Sequence, residues 1–411
     1  MPLPRFAPIR QSVTTDRIED IPGHVRAELL RAGLTEEVKP NQRIAIGVGS
    51  RGIDCITDVV MTVIQALQEA GAEPFLVPAM GSHGGGTPQG QREVLQGYGL
   101  GEEATGAPIL SSMDVVEIGV TPGGMPVVFD AHAAGADGVL VINRIKPHTA
   151  FREQWESGLF KMLAVGLGKE RGAAAIHGWG IAEAMPAAAR VVIREMPILG
   201  GVAIVENGCH QPAHIEAIPA SQIEAREPEL LKLAWRHLPR IPLEPLDLLI
   251  LQEIGKDISG TGMDPNVVGM WRRKGGVVEP DFRALVALDL TPHSHGNAIG
   301  VGYCDLIPQR LRDKIDPGPT YTNCLTSGNY NGGKIPITLP HDRAVIESAL
   351  AAVSPDRARV VIVRNTMTLD RMWVSEALLE DVAGHALLSQ TGRLGELAFD
   401  EAGGLRELPV G

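Results

Sequence analysis

Three histidines and one lysine, His83, His148, His177 and Lys161, carry the chemistry that this sequence can do. His83 lies in Gly81-Ser82-His83-Gly84-Gly85-Gly86, where glycines keep the backbone open and the imidazole accessible. His148 ends Asn143-Arg144-Ile145-Lys146-Pro147-His148, directly after an apolar run. An imidazole there can act as base or acid near neutral pH, whereas a lone loop histidine can equally be incidental. Lys161 sits in Ser157-Gly158-Leu159-Phe160-Lys161-Met162-Leu163-Ala164-Val165-Gly166. Burial among such neighbours disfavours the ammonium and favours a nucleophilic amine; the alternative is a lysine that snorkels to solvent. His177, sixteen residues further on, can ligate a metal, but with no second ligand near it the other donors must come from elsewhere. Read only as residues, the three imidazoles also permit a conventional open metal site, as in a hydrolase or lyase.

Arg51 belongs to the turn Gly47-Val48-Gly49-Ser50-Arg51-Gly52. A guanidinium at the carboxyl end of a strand can hold a substrate carboxylate bidentately. The turn also matches GxGxxG, which opens a nicotinamide-dependent oxidoreductase as an alternative. A dinucleotide site wants an acid at the end of the second strand, however, and Glu73 precedes that strand.

The elements that must position these residues read as α/β. Arg43 to Val48 is an apolar strand, and Ile56, Val59, Val60, Val63, Ile64 and Leu67 follow at helical spacing. Pro74 to Val77 is a second strand, and Thr87-Pro88 opens another helix. Strands at Gly138 to Ile142 and Gly201 to Val205, with helices from Ser157 and Ile181, continue the alternation of a parallel sheet. Three prolines in Leu238 to Pro245 mark a connection, so an N-terminal α/β domain is expected over residues 1–240 and a C-terminal one over 246–411. In the second, Leu246 to Leu251, Ala284 to Leu290 and Arg359 to Val363 read as strands and Ser375 to Ala383 as a helix. The expected architecture is two α/β domains with mainly parallel sheets and the active site in the cleft between them.

Composition narrows the partners. A formal net charge of -12 without a basic run argues against nucleic acid and anionic membranes, leaving small molecules. No apolar run approaches the roughly 20 residues that span a bilayer, and a cytoplasmic protein is expected. Cys55, Cys209, Cys304 and Cys324 form no CxxC pair and read as reduced thiols.

Taken together, Arg51, the His83 loop, Pro147-His148, Ser157-Gly158 with Lys161, and His177 resemble the nickel-dependent lactate racemase family. The likeness covers most of the first domain and, more loosely, the second. It implies a nickel-pincer nucleotide, pyridinium-3-thioamide-5-thiocarboxylic acid mononucleotide, tethered to Lys161, with His177 as the protein's nickel ligand and maturation enzymes as partners. It also implies His83 and His148 as the acid/base pair for a small 2-hydroxy acid, and Arg51 as the carboxylate contact. For the family's substrate-binding lysine, one placement falls on Lys256 and another on Arg272. The sequence departs from the family at Val48, where an aspartate is common, at Leu159, which replaces a glycine, and by three extra residues within Thr149 to Glu156.

Overall fold

The computed structural model describes residues 2–50 and 52–410, which divide into two compact α/β units. One runs from Thr14 to Leu238. The other joins the stretch ending at Val13 to the stretch beginning at Pro239.

The first strand, β1 (Phe6–Gln11), belongs to the second of these units. The Thr14–Leu238 unit contains β2 (Arg43–Val48), β3 (Glu73–Pro78), the hairpin β4 (Val115–Val120) and β5 (Pro126–Asp130), then β6 (Gly138–Arg144), β7 (Ile198–Glu206) and β8 (Pro212–Pro219). Its main sheet has the order β3-β2-β6-β7-β8; β8 alone runs antiparallel, at one edge. Its longer helices are α1 (Ile21–Arg31), α2 (Ile56–Glu69), α3 (Pro88–Gly97), α4 (Lys169–Trp179), α5 (Ile181–Glu195) and α6 (Ala220–His237). Alternate residues of each strand face opposite sides. Ile44, Ile46, Leu140 and Ile142 pack with Val59, Val60 and Val63 of α2, and Ala45, Val139 and Val141 pack with Ala173, Met185 and Ile223 of α4, α5 and α6. Strands buried on both faces explain why the sequence shows continuous apolar runs there.

From β2 the chain moves to β3 on one side and later returns to β6 on the other. The carboxyl ends of β2 and β6 therefore flank a topological switch point, where open α/β sheets bind ligands.

The second unit contains β9 (Leu248–Leu251), β10 (Leu285–Ala287), β11 (Leu306–Pro308), β12 (Ile337–Leu339), β13 (Val360–Asn365), β14 (Thr368–Ser375) and β15 (Leu388–Gln390). The sheet order is β12-β11-β10-β9-β13-β14-β1-β15, with β9 to β13 parallel and the last three joins antiparallel. Two expectations change here. Residues 6–11 were grouped with the first domain but complete the second sheet, because the backbone of β1 finds its partners in β14 and β15. Ser375 was expected to open a helix but ends β14, its buried hydroxyl accepting from the Val360 N–H at 2.8 Å and donating to the Ala358 carbonyl at 2.6 Å. Helix begins one residue later, as a 3-10 turn at Glu376–Leu378 that leads into an α-helix at Leu379–Gly384. Among the described residues no helix is long and apolar enough to cross a membrane.

Candidate active site

One pocket of the Thr14–Leu238 unit, enclosing about 170 Å³, is lined by His83, His148, Lys161 and His177 together. Its walls come from the segments after β2, β3 and β6 and from the region between Ser157 and Ile181. Ser50, Ser82, Asn143 and Ser157 supply polar groups, and Met80, Met162, Val165 and Ile181 supply apolar ones.

His83 follows β3 on a loop that packs against the start of α3. Gly84 has φ 66°, and a Cβ there would lie 2.7 Å from the Gln91 backbone nitrogen, so only glycine fits. The imidazole Nδ1 lies 2.9 Å from the Met80 carbonyl. A carbonyl can only accept, so Nδ1 carries the proton and, in the neutral ring, Nε2 carries the lone pair.

His148 has the opposite tautomer. Its Nδ1 accepts from the Ala150 N–H at 3.1 Å, which places the neutral ring's proton on Nε2. The loop that holds it is closed at its base, where the Lys146 N–H donates to the Ser157 carbonyl at 2.9 Å. Glu156 accepts from the His148 N–H at 2.6 Å and from the Glu153 N–H at 3.3 Å; burial pushes its carboxyl up. The Phe151 ring stacks on the imidazole with centroids 4.3 Å apart, and the Arg152 guanidinium sits 4.6 Å from the Trp235 ring centre. The segment from Thr149 to Glu156 thus carries the side chains that hold His148. Phe151→Leu is expected to cost stability less than about 1.5 kcal/mol, while losing a stack worth roughly 0.5–1.5 kcal/mol of ring alignment. Thermal melts of the natural protein and the variant check this: a small fall in Tm is expected.

Lys161 is half-buried on the turn Leu159–Lys161, which continues as a π-helical turn, Met162–Gly166. Asn143 Nδ2 donates to the Gly158 carbonyl at 2.9 Å, tying this turn to the end of β6. Beneath it lies Glu227 of α6, which accepts from the Phe160 N–H at 3.0 Å and whose Oε1 has no hydrogen-bond partner. A Cβ on Gly158 would come within 2.5 Å of that oxygen. Burial, opposed by the Phe160 and Leu159 N–H groups, raises the Glu227 carboxyl from 4.5 to about 7. A raised carboxyl binds protons more tightly in the folded chain, so its contribution is full below about 4.5 and is lost as pH rises through about 7. That interval is worth on the order of 3 kcal/mol. Glu227→Gln is expected to remove this fall, seen as a flatter stability profile in urea titrations between pH 5 and 7.5.

His177 is exposed near the end of α4. Among the described residues no three His, Cys, Asp or Glu side chains gather closely enough to hold a metal ion by themselves, which speaks against a conventional three-histidine site. The pocket sets one amine, Lys161, among three imidazoles that do not gather into a ligand set of their own. That set fits a bound group that brings its own remaining metal donors.

The other expected residues fall elsewhere. Arg51 lies outside the described residues. Lys256 is in the other unit, its Nζ donating to the Gly260 carbonyl at 2.8 Å and Asn323 Oδ1 at 3.0 Å. Arg272 does not fit a substrate contact. It is buried, and its guanidinium donates to the carbonyls of Tyr303 and Phe282 and to Asp305, so it braces the fold. The dinucleotide reading of the first turn also weakens. Its third glycine, Gly52, would meet nothing within 4 Å as alanine and so does not serve close helix packing. None of the four cysteines is in a disulfide, and burial pushes the Cys55 and Cys304 thiols up to about 12, too high for a thiolate nucleophile.

Gln91, Asp130, Glu156, Lys169 and Glu227 were not singled out from sequence. Two of them left a signal. Lys169 ends an apolar run as Lys161 interrupts one, and Glu227 falls in the buried stripe Ile223, Glu227, Leu230, Leu231, Ala234 of α6.

The class defined so far is a two-unit α/β protein with a histidine-lined pocket at a sheet switch point. No protein-family model matches the chain, and no curated protein sequence does. Among solved structures, the lactate racemase apoprotein from Thermoanaerobacterium thermosaccharolyticum is similar in fold, with a TM-score of 0.52 at 12% sequence identity, covering 84% of this chain and 92% of that one.

Proposed function

We propose that this chain is a racemase or epimerase of a small 2-hydroxy acid that works with a nickel-pincer nucleotide. The observation that carries the proposal is the gathering of His83, His148, Lys161 and His177 around one pocket. The fold likeness to a lactate racemase supports it. Lys161 would hold the nucleotide covalently, and His177 would supply the protein's ligand to its nickel, an imidazole being a donor suited to that metal. When bound, such a group supplies a reversible acceptor for the C2 hydride.

The chain's own residues supply the rest. Inverting C2 requires a proton to be moved on either face of a planar 2-keto acid, hence two imidazoles. His83 offers its Nε2 lone pair to a substrate hydroxyl, and His148 presents an Nε2–H to the opposite side. Exchange of roles between them includes release of the Ala150 N–H from His148 Nδ1. Arg51, on sequence grounds, would hold the carboxylate. The pocket's serines and Asn143 offer hydrogen bonds to a small polar acid, while Met80, Met162 and Val165 exclude water.

The test is to produce the chain together with the cofactor-maturation enzymes and follow chirality over a panel of 2-hydroxy acids in D2O. Inversion with protium retained at C2 is expected, because a hydride does not exchange with solvent. Deuterium wash-in at C2, or no inversion of any acid by the nickel-loaded protein, overturns the proposal.

A further inference from the structure

Behind the His83 loop lies a buried polar chain that the proposed reaction does not use directly. Lys169, the first residue of α4, is fully buried and adopts φ 53°, a left-handed conformation that non-glycine residues rarely take. Its Nζ donates to the Pro78 carbonyl at the end of β3 at 2.6 Å and to Gln91 Oε1 of α3 at 3.3 Å. It lies 3.0 Å from Asp130 Oδ2 at the end of β5. The ammonium thus donates to acceptors on two elements and is ion-paired with a carboxylate on a third.

An ammonium can only donate, so the Gln91 atom that faces it must be the amide oxygen. The amide nitrogen is thereby turned toward the His83 loop, where it donates to the Gly81 carbonyl at 2.8 Å and the His83 carbonyl at 3.1 Å. With those two carbonyls drawn to Gln91, the Met80 carbonyl is the one that meets the His83 ring at Nδ1. The orientation of one buried amide therefore propagates to the tautomer of the imidazole.

We infer that Gln91 is a positioning residue for His83, held in register by Lys169, and that this chain couples the loop bearing His83 to the helix bearing His177. Resting on the reading of His83 as the base, it adds that the base is set by a buried amide. The Lys169–Asp130 pair alone would be an ordinary buried ion pair. The two donations of Gln91 to carbonyls of the His83 loop make it a positioning device.

The test uses full-length protein labelled with 15N-histidine, with the His83 signals identified by their loss in His83→Gln. In the natural sequence His83 should show the Nδ1–H tautomer and His148 the Nε2–H tautomer. Gln91→Glu keeps an acceptor for Lys169 but has no N–H for the two carbonyls; Gln91→Met, of similar volume, has neither. In both variants the His83 signals should shift to a mixture of tautomers while those of His148 stay in place. In the cofactor-loaded enzyme kcat should fall by about 100-fold, as for a misplaced reacting group, with KM little changed. Unaltered His83 signals in a folded Gln91 variant would overturn the inference. Should neither variant fold, the natural protein still decides. Side-chain amide protons of Gln91 that exchange as fast as those of an exposed glutamine would overturn it, and strongly protected ones would support it. If the loaded enzyme inverts no acid yet His83 responds to Gln91→Glu, the proposed function fails and this inference stands.

Discussion

Lys161→Ala is expected to abolish both the cofactor adduct and all racemisation. The expectation follows from bond chemistry. A thioamide tether needs a primary amine at the right place, and neither a methyl group nor a guanidinium can form it. Lys161→Arg should therefore fail as completely as Lys161→Ala, although it keeps the charge and most of the stem. The amine stands on a turn fixed at three points: Asn143 holds the Gly158 carbonyl, Glu227 holds the Phe160 N–H, and buried Leu159 and Phe160 anchor the flanks. Alanine at position 161 should leave those contacts intact, so the variant should melt close to the natural protein. Intact mass and metal analysis after production with the maturation enzymes would read the outcome. One nickel and one adduct per chain are expected for the natural sequence and neither for the variants. Full activity with an unmodified Lys161 would sink the assignment.

Much of the frame around that lysine is legible in sequence, for a physical reason. A parallel strand buried on both faces must be apolar throughout, so Arg43–Val48 and Gly138–Arg144 announce themselves and their carboxyl ends follow. His83 and His148 stand out because glycine or proline beside them marks the end of a strand. Other features depend on distant partners. β1 is a short apolar run whose place is set by strands more than 350 residues away. Arg272, in Trp271-Arg272-Arg273-Lys274, is a candidate substrate contact from sequence until the Tyr303 and Phe282 carbonyls close over it. The same holds for Gln91, whose meaning comes from an ammonium 78 residues along the chain. Local pattern identifies what a residue can do, and burial beside particular acceptors decides whether it does it.

His83→Gln and His148→Gln are each expected to lower racemisation by roughly 10²–10⁴-fold, the range for losing a positioned acid or base. Glutamine can still hydrogen-bond at either position, so the loss isolates proton transfer from binding, and KM should change far less than kcat. For a true racemase the equilibrium constant is one. Each variant must then lose kcat/KM equally in both directions, whichever histidine serves which hand. The hands separate in a single turnover, where only oxidation to the 2-keto acid is followed. His83→Gln should still oxidise the enantiomer whose hydroxyl faces His148, and His148→Gln the mirror image. Because the resting tautomers differ, the two surviving half-reactions should differ in rate. The one that uses His83 starts from the Nδ1–H tautomer, whereas the one that uses His148 must first release the Ala150 N–H. Rapid-quench measurements with each enantiomer over both variants would check this. If both variants retained the same hand, a single base would be serving both faces, and the division of labour between the two histidines would be wrong.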